Sequence, residues 1–170
     1  MHAKVVAPPR LFEVATPAAD VTDLGCEYSL DVDAAGAGAV HVLSGEVELG
    51  AGSTLVVAPA HTHAKILAGR HPGLPVYDAS KLEPDVDAVQ AGVPGAVDAL
   101  LAHATTRDAI TVANLISTTE PGRRRPLLER LFVLWPPPSG LTVDDCEDPA
   151  MFANLWLEDI VVKYKRDELP

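Results

Sequence analysis

The chain has 170 residues, a length that suits one domain with a single hydrophobic core. Apolar residues make up 48% of the sequence, which argues against a disordered chain, and only 5% are aromatic, so we expect a core of small and branched side chains. A formal net charge of −11 repels phosphate backbones and argues against nucleic acid as a partner.

Neither a membrane span nor an export signal is expected. The longest apolar run, residues 49–64, is broken by glycines, Pro59 and two histidines, and is shorter than the roughly 20 residues of a spanning helix. The first residues, "MHAKVVAPPR", lack the continuous apolar segment of a secretory signal. We therefore expect a soluble protein, intracellular or within an assembled particle. Cys26 and Cys146 form no C-x-x-C pair and are expected to be free thiols.

Residues 1–69 are predicted to form a β-rich lobe, a small sandwich or barrel. Short runs rich in valine and leucine alternate with turn residues; the runs are "RLFEV", "CEYSLDV", "AVHVLSGEVEL" and "STLVVAP". In the third run, period-two alternation places His41 on the core face together with Leu43, Val47 and Leu49. The glycine-rich "AAGAGAV" and "GAGS" lack the helix and lysine of a phosphate-binding loop, and we interpret them as hairpin turns.

Residues 70–85, rich in proline and glycine, are predicted to be an extended connection. Residues 86–170 are predicted to be mainly helical and to form one compact domain with the first lobe. Thr105 and Asp108 resemble a capping box before "AITVANLIST". The segment "PLLERLFVLW" carries the apolar stripe of an amphipathic helix, made of Leu127, Leu131, Leu134 and Trp135.

The C-terminal segment offers two interpretations. A short strand is predicted at "GLTV", and Asp148 before Pro149 predicts a new helix start. One side of this helix would carry Phe152, Leu155, Trp156 and Ile160, whereas residues 159–165 are equally plausible as helix or strand. The fold class is thus α+β, with a β-rich N-terminal half packed against a helical C-terminal half.

The stretch "PAHTHA" is the sequence's strongest hint of chemistry. On a strand over residues 61–67, His61, His63 and Lys65 would share one face. Two imidazoles that converge in this way are typical of metal sites in β-barrels, and His41 on a neighbouring strand is the candidate third ligand. The alternative is a partly exposed histidine pair without metal, which the adjacent lysine favours.

Residues 40–69 resemble part of a cupin jelly roll. The similarity consists of "VLSGEVEL", a short turn, "STLVVAP" and then the H-x-H pair. In cupins this pair is followed four or five residues later by a glutamate, where this chain has Leu67 and Ala68. The resemblance implies a metal-dependent small enzyme or a sugar-binding barrel that uses His61 and His63.

Two charged clusters lie in the second half. Arg123, Arg124 and Arg125 form a basic group before a helix, and we interpret them as a contact for another protein or for acidic residues of the same chain. The simplest acidic partner is the run from residue 144 to residue 148. That run lacks the spacing of a calcium loop and is expected to be a solvated loop that also caps the next helix.

These patterns lead to three hypotheses about function. The first is a non-catalytic structural or assembly subunit of a virion, phage tail or similar machine, which needs no cofactor and acts through contacts with other subunits or with copies of itself. The proline-containing ends "VVAPPR" and "KRDELP" would be arms laid on a neighbour. The second is the cupin-like protein, and the third is a regulatory binding module that uses the helical half.

Overall fold

The computed structural model describes residues 13–16, 18–67 and 72–169, and the backbone of residues 2–4. The fold is α+β, with antiparallel sheets in the N-terminal half and helices in the C-terminal half. The strands are β1 His2–Lys4, β2 Glu13–Ala15, β3 Asp20–Asp23, β4 Glu27–Val32, β5 Gly38–Ser44, β6 Glu46–Ala51, β7 Thr54–Pro59, β8 Thr62–Ile66 and β9 Val76–Tyr77.

The strands form two sheets that pack as a sandwich. The first sheet has the order β1-β4-β5-β8-β9 and the second the order β2-β3-β6-β7. Their inner faces meet in a core of small and branched side chains, as the composition predicts; it includes Leu30, Val40, Val42, Val47, Leu49, Val56, Ala64 and Ile66. Buried and exposed residues alternate along a strand when one face of its sheet packs on the core and the other faces solvent.

The helices follow the sheets in the chain. The helices are α1 Glu83–Gln90, α2 Ala96–His103, α3 Ala109–Thr118, α4 Arg125–Leu134, α5 Pro149–Met151 and α6 Glu158–Lys165, with a π-helical segment Phe152–Leu157 between the last two. Short 3₁₀ turns lie at Thr106–Asp108, Pro121–Arg123 and Asp145–Glu147. Within the described residues, no helix combines the length and the apolar character needed to cross a membrane.

Helix α3 is the centre of the helical half. Its residues from Ala109 to Ile116 are all buried, and it contacts α4, α6 and strand β7. The predicted capping box precedes it: the Asp108 carboxylate accepts hydrogen bonds from the Thr105 amide at 2.8 Å and hydroxyl at 2.7 Å. The predicted apolar stripe, which includes Leu131 in α4 and Trp135 directly after it, is buried in the same core.

A buried asparagine joins α3 to the sandwich. Among the described strands, β7 lies at the edge of the second sheet, and none of them pairs with its outward N–H and C=O groups. Asn114 Oδ1 accepts from the Val57 amide at 2.8 Å, and Asn114 Nδ2 donates to the Val57 carbonyl at 2.9 Å. The side-chain amide thus bonds to the strand edge as another strand would.

Two sequence predictions are corrected here, and one open alternative is decided. Residues 140–143, "GLTV", form no strand, and residues 159–165, for which helix and strand were both open, are helical. Leu155 does not join the buried stripe of the last helix, because the π-helical i→i+5 bonds widen the turn and rotate it outward. The strand predicted at "RLFEV" is described only from Glu13 onwards, and the N-terminal arm "VVAPPR" lies outside the described residues.

The predicted core position of His41 is also wrong. Strand β5 ends at Ser44, and Gly45 at φ 76° turns the chain into the other sheet, so the alternation does not continue across it. A side chain at Gly45 would place Cβ 2.4 Å from the Gly25 carbonyl oxygen. Val40 and Val42 face the core instead, and His41 faces outward.

Candidate functional site

Two of the three predicted histidines meet on the outer face of the first sheet. His41 on β5 is directly opposite His63 on β8 in the strand register. Both rings contact one carboxylate: His41 Nε2 lies 2.8 Å from Asp78 Oδ2, and His63 Nδ1 lies 3.0 Å from Asp78 Oδ1. Asp78 directly follows β9, so this contact ties the edge of the sheet to the start of the helical half.

Charged residues from α1 extend this cluster along the sheet. Lys65 Nζ lies 2.7 Å from Asp87 Oδ1 and 3.0 Å from Glu83 Oε1. The hydrogen bond to Asp87 raises the pKa of the Lys65 ammonium, with Glu83 acting in the same direction. The predicted proximity of His63 and Lys65 on one face is thus observed, with carboxylates that neutralise the lysine.

His61 does not join this face. It occupies the turn between β7 and β8 in a left-handed conformation with φ 62°, and its side chain is exposed. Its backbone holds the turn: the amide donates to the Val42 carbonyl, and the carbonyl accepts from the Asp78 amide. Among the residues that the structure describes, no group of three or more histidine, cysteine, aspartate or glutamate side chains has the geometry to hold a metal ion.

A second polar group surrounds Ser80. This group lies in a depression of about 410 Å³ between the start of α1 and the end of α2. Ser80 donates its hydroxyl proton to the buried Asp108, while His103 Nδ1 lies 2.9 Å from Asp85 Oδ2. Ser80 gives its one proton to Asp108, directly before α3, and accepts from the amide of Leu82, directly before α1. Its hydroxyl therefore joins the starts of these two helices.

The three arginines of the basic cluster have different surroundings. Arg124 is buried and donates to the Thr119 carbonyl at 2.7 Å, which covers the C-terminal end of α3. Arg125 is ion-paired with Asp144 at 2.8 Å and Glu147 at 2.7 Å. Arg123 is exposed. The intrachain alternative, with the acidic run as partner, therefore describes Arg125, and Arg124 is not presented to another protein.

The remaining acidic residues of the run have local roles. Asp148 accepts from the Ala150 amide at 2.8 Å and caps the last helix, as predicted. Asp145 accepts from the amide and hydroxyl of Thr142, which lowers the pKa of its carboxyl. Asp145 thus binds a residue of its own loop, and Asp148 binds an amide at the start of the helix that it precedes.

Both cysteines are free and buried. Burial raises the pKa of the Cys26 thiol, and a hydrogen bond to the buried Asp23 raises it further. Burial likewise raises the pKa of Cys146 to about 11. Neither sulfur is therefore a thiolate at neutral pH, which fits a structural role for both side chains.

Several exposed apolar side chains on the helical half were not predicted from the sequence. Four large apolar side chains are exposed around α4 and the π-helical segment: Phe132 at 42%, Val133 at 70%, Met151 at 38% and Leu155 at 46%. An edge-to-face contact between Phe132 and Trp156, with ring centroids 6.3 Å apart, joins the two elements. The signal in the sequence was the run "LFVLW", which has more apolar residues than one buried stripe needs.

Met151 and Leu155 line an open groove of about 600 Å³. One wall is the turn from Pro138 to Leu141, and the other is the last helix from Met151 to Val162. The charged residues that line it are Glu158 and Asp159, and Asp159 is held by the Trp135 indole N–H at 3.2 Å.

Comparison of the chain with protein-family models, curated proteins and solved structures finds no match.

Proposed function

We propose that this chain is a non-catalytic subunit of a larger assembly and acts through protein–protein contacts made by its helical half. The observation that carries the proposal is the exposure of Met151 and Leu155 in one groove, with Phe132 and Val133 exposed on the neighbouring helix α4. Single exposed apolar residues are common on protein surfaces, but large ones that line the same groove, as Met151 and Leu155 do, are characteristic of an interaction site.

The chemistry of the group supports this use. Methionine and phenylalanine are enriched in interface cores, and a flexible methionine adapts to the shape of a partner. The π-helical segment is a rare backbone form that recurs at functional sites, and here it turns Leu155 out of the buried stripe. The virion, the phage tail and other multi-subunit machines all remain within this proposal.

Sedimentation of the chain together with its co-purifying proteins tests the proposal. We expect the wild-type chain to sediment in a complex and the double variant Val133→Asp, Leu155→Asp to sediment alone. Val93→Asp is the matched control, because Val93 is 51% exposed but lies between α1 and α2. A wild-type chain that sediments alone, or a double variant that stays in the complex, contradicts the proposal.

The cupin-like metal enzyme or sugar-binding barrel is the second candidate. The residues that would carry it are His41 and His63, whose rings both contact the Asp78 carboxylate. A metal ion would have to replace these contacts, because the three side chains do not surround a common point as they stand. Metal analysis of the purified protein tests it: a stoichiometric transition metal that is lost in His63→Ala would favour this candidate over the assembly subunit. His103→Ala is the control, because His103 contacts Asp85 and not Asp78.

A further inference from the structure

The last helix forms one long wall of the groove on the helical half. Its helical wall presents Met151, Leu155, Glu158 and Val162, which all line the groove and so lie on one side of the last helix. At the α-helical rise of roughly 1.5 Å per residue, the wall from residue 151 to residue 162 is at most about 16 Å long, because the π-helical segment is wider and shorter than an α-helix. A partner helix of about three turns would therefore lie along the full length of this wall.

The charge of the groove indicates which kind of partner would bind there. Glu158 is exposed at its rim, Asp159 lies next to it, and both are negative. A second copy of this chain would add another net charge of −11, and an anionic membrane surface would be repelled in the same way. A partner with lysine or arginine beside its apolar residues is attracted to the same rim, which sets its orientation.

The backbone also favours a ligand at this place. A regular α-helical turn would bring Leu155 into line with the buried Phe152 and Trp156, as the sequence pattern predicts. The π-helical turn instead leaves Leu155 46% exposed, on the wall of the groove. A leucine withdrawn from the core is explained if a partner covers it.

On these grounds, and resting on the proposed function, we infer that the groove between residues 138–141 and 151–162 binds a cationic amphipathic α-helix of a partner protein. The apolar side of that helix packs on Met151, Leu155 and Val162. Its basic residues lie against Glu158 and Asp159.

A peptide selection tests this inference without knowledge of the natural partner. A library of random 16-residue peptides displayed on phage is selected on the immobilised wild-type chain and depleted on the Leu155→Asp variant. We expect the enriched peptides to carry apolar residues at helical spacing together with a net positive charge. Enrichment of acidic peptides, of peptides without helical spacing, or of none overturns the inference.

The affinity of an enriched peptide then locates the contact. By fluorescence anisotropy, Leu155→Asp is expected to weaken binding at least about 30-fold, the effect of losing a central interface residue. Glu158→Lys is expected to weaken it about tenfold, while Val93→Asp leaves it unchanged; thermal unfolding of each variant checks that it is folded. Equal affinity for the wild-type and the Glu158→Lys chains overturns the assigned charge.

The two proposals fail in different ways. If the chain sediments in a complex that requires Leu155, but the selected peptides are not cationic helices, the assembly role stands and the identity of the ligand is wrong. If sedimentation shows a self-associated chain that requires Leu155, the occupant is a second copy and the inference is likewise overturned.

Discussion

Replacement of Asn114 by alanine should separate the helical half from the edge of the sandwich. The substitution removes the acceptor of the Val57 amide and the donor to the Val57 carbonyl, and no described strand lies on that side of β7 to replace them. A buried polar group that loses its partner costs about 1–3 kcal/mol, so two such groups give about 2–6 kcal/mol. Because this contact is partly buried, water will satisfy some of the loss, and we expect about 2–3 kcal/mol.

Urea unfolding, followed by the fluorescence of Trp135 and Trp156, measures this loss. For a chain of this size the same change lowers Tm by about 4–12 °C. Ser117→Ala is the matched control: Ser117 lies on the same helix and donates only within it, to the Ala113 carbonyl, so we expect a change within about 0.5 kcal/mol.

The comparison with aspartate at the same position sharpens the test. In Asn114→Asp a carboxylate oxygen replaces Nδ2 and faces the carbonyls of Val57 and Ile110. We therefore expect this variant to be less stable than Asn114→Ala at neutral pH and to recover as the carboxyl is protonated. A loss below about 0.5 kcal/mol for Asn114→Ala would refute the role of this amide as a substitute strand.

Three further predictions concern stability. Leu131→Ala should cost about 2–5 kcal/mol in urea unfolding, because Leu131 is fully buried in the helical core; a much smaller loss would mean that the site collapses around the alanine. Arg124→Ala should cost about 1–3 kcal/mol, because it uncovers carbonyls at the end of α3, while the exposed Arg123→Ala should change little; equal effects would contradict the cap. Burial raises the pKa of the Glu46 carboxyl more than its ion pair with Lys165 lowers it. The fold therefore favours the protonated carboxyl, and stability should fall as the pH rises from 4.5, the ordinary pKa of the group, through the raised pKa of the folded protein. Glu46→Gln should then stabilise the fold at neutral pH and flatten the pH dependence of Tm, and a less stable glutamine variant would show that the ion pair dominates.

The parts of the fold that the sequence predicts are those that depend on neighbouring residues. The alternation in β8 and the stripe of α4 are local patterns, and the capping pair Thr105 and Asp108 lies three residues apart. Each needs only the geometry of one strand or one helix turn, so each is visible in the sequence. The prediction that His41 faces the core is wrong because a single left-handed turn at Gly45 ends one strand and begins another.

The contacts that define the candidate surfaces are long-range, and no local pattern encodes them. Asn114 pairs with Val57 across 57 positions, and Asp78 reaches His41 across 37. The outward turn of Leu155 depends on a π-helical segment, which differs from an α-helix by one position in each hydrogen bond. A sequence pattern with a period of 3.6 residues cannot distinguish the two forms over six residues.

We place the proposed contact surface at the acidic groove and not at the arginines. Arg124 is used at the end of α3, Arg125 by the acidic run, and Arg130 donates to the carbonyls of Leu101 and Ala104 at the end of α2. Each of these guanidinium groups joins two parts of its own chain, so its charge holds the helical half together. The apolar side chains around Leu155 are exposed instead, beside two carboxylates in a chain that is acidic as a whole. A partner recognised there must supply both the apolar cover and the positive charge, which is the pairing that the peptide selection measures.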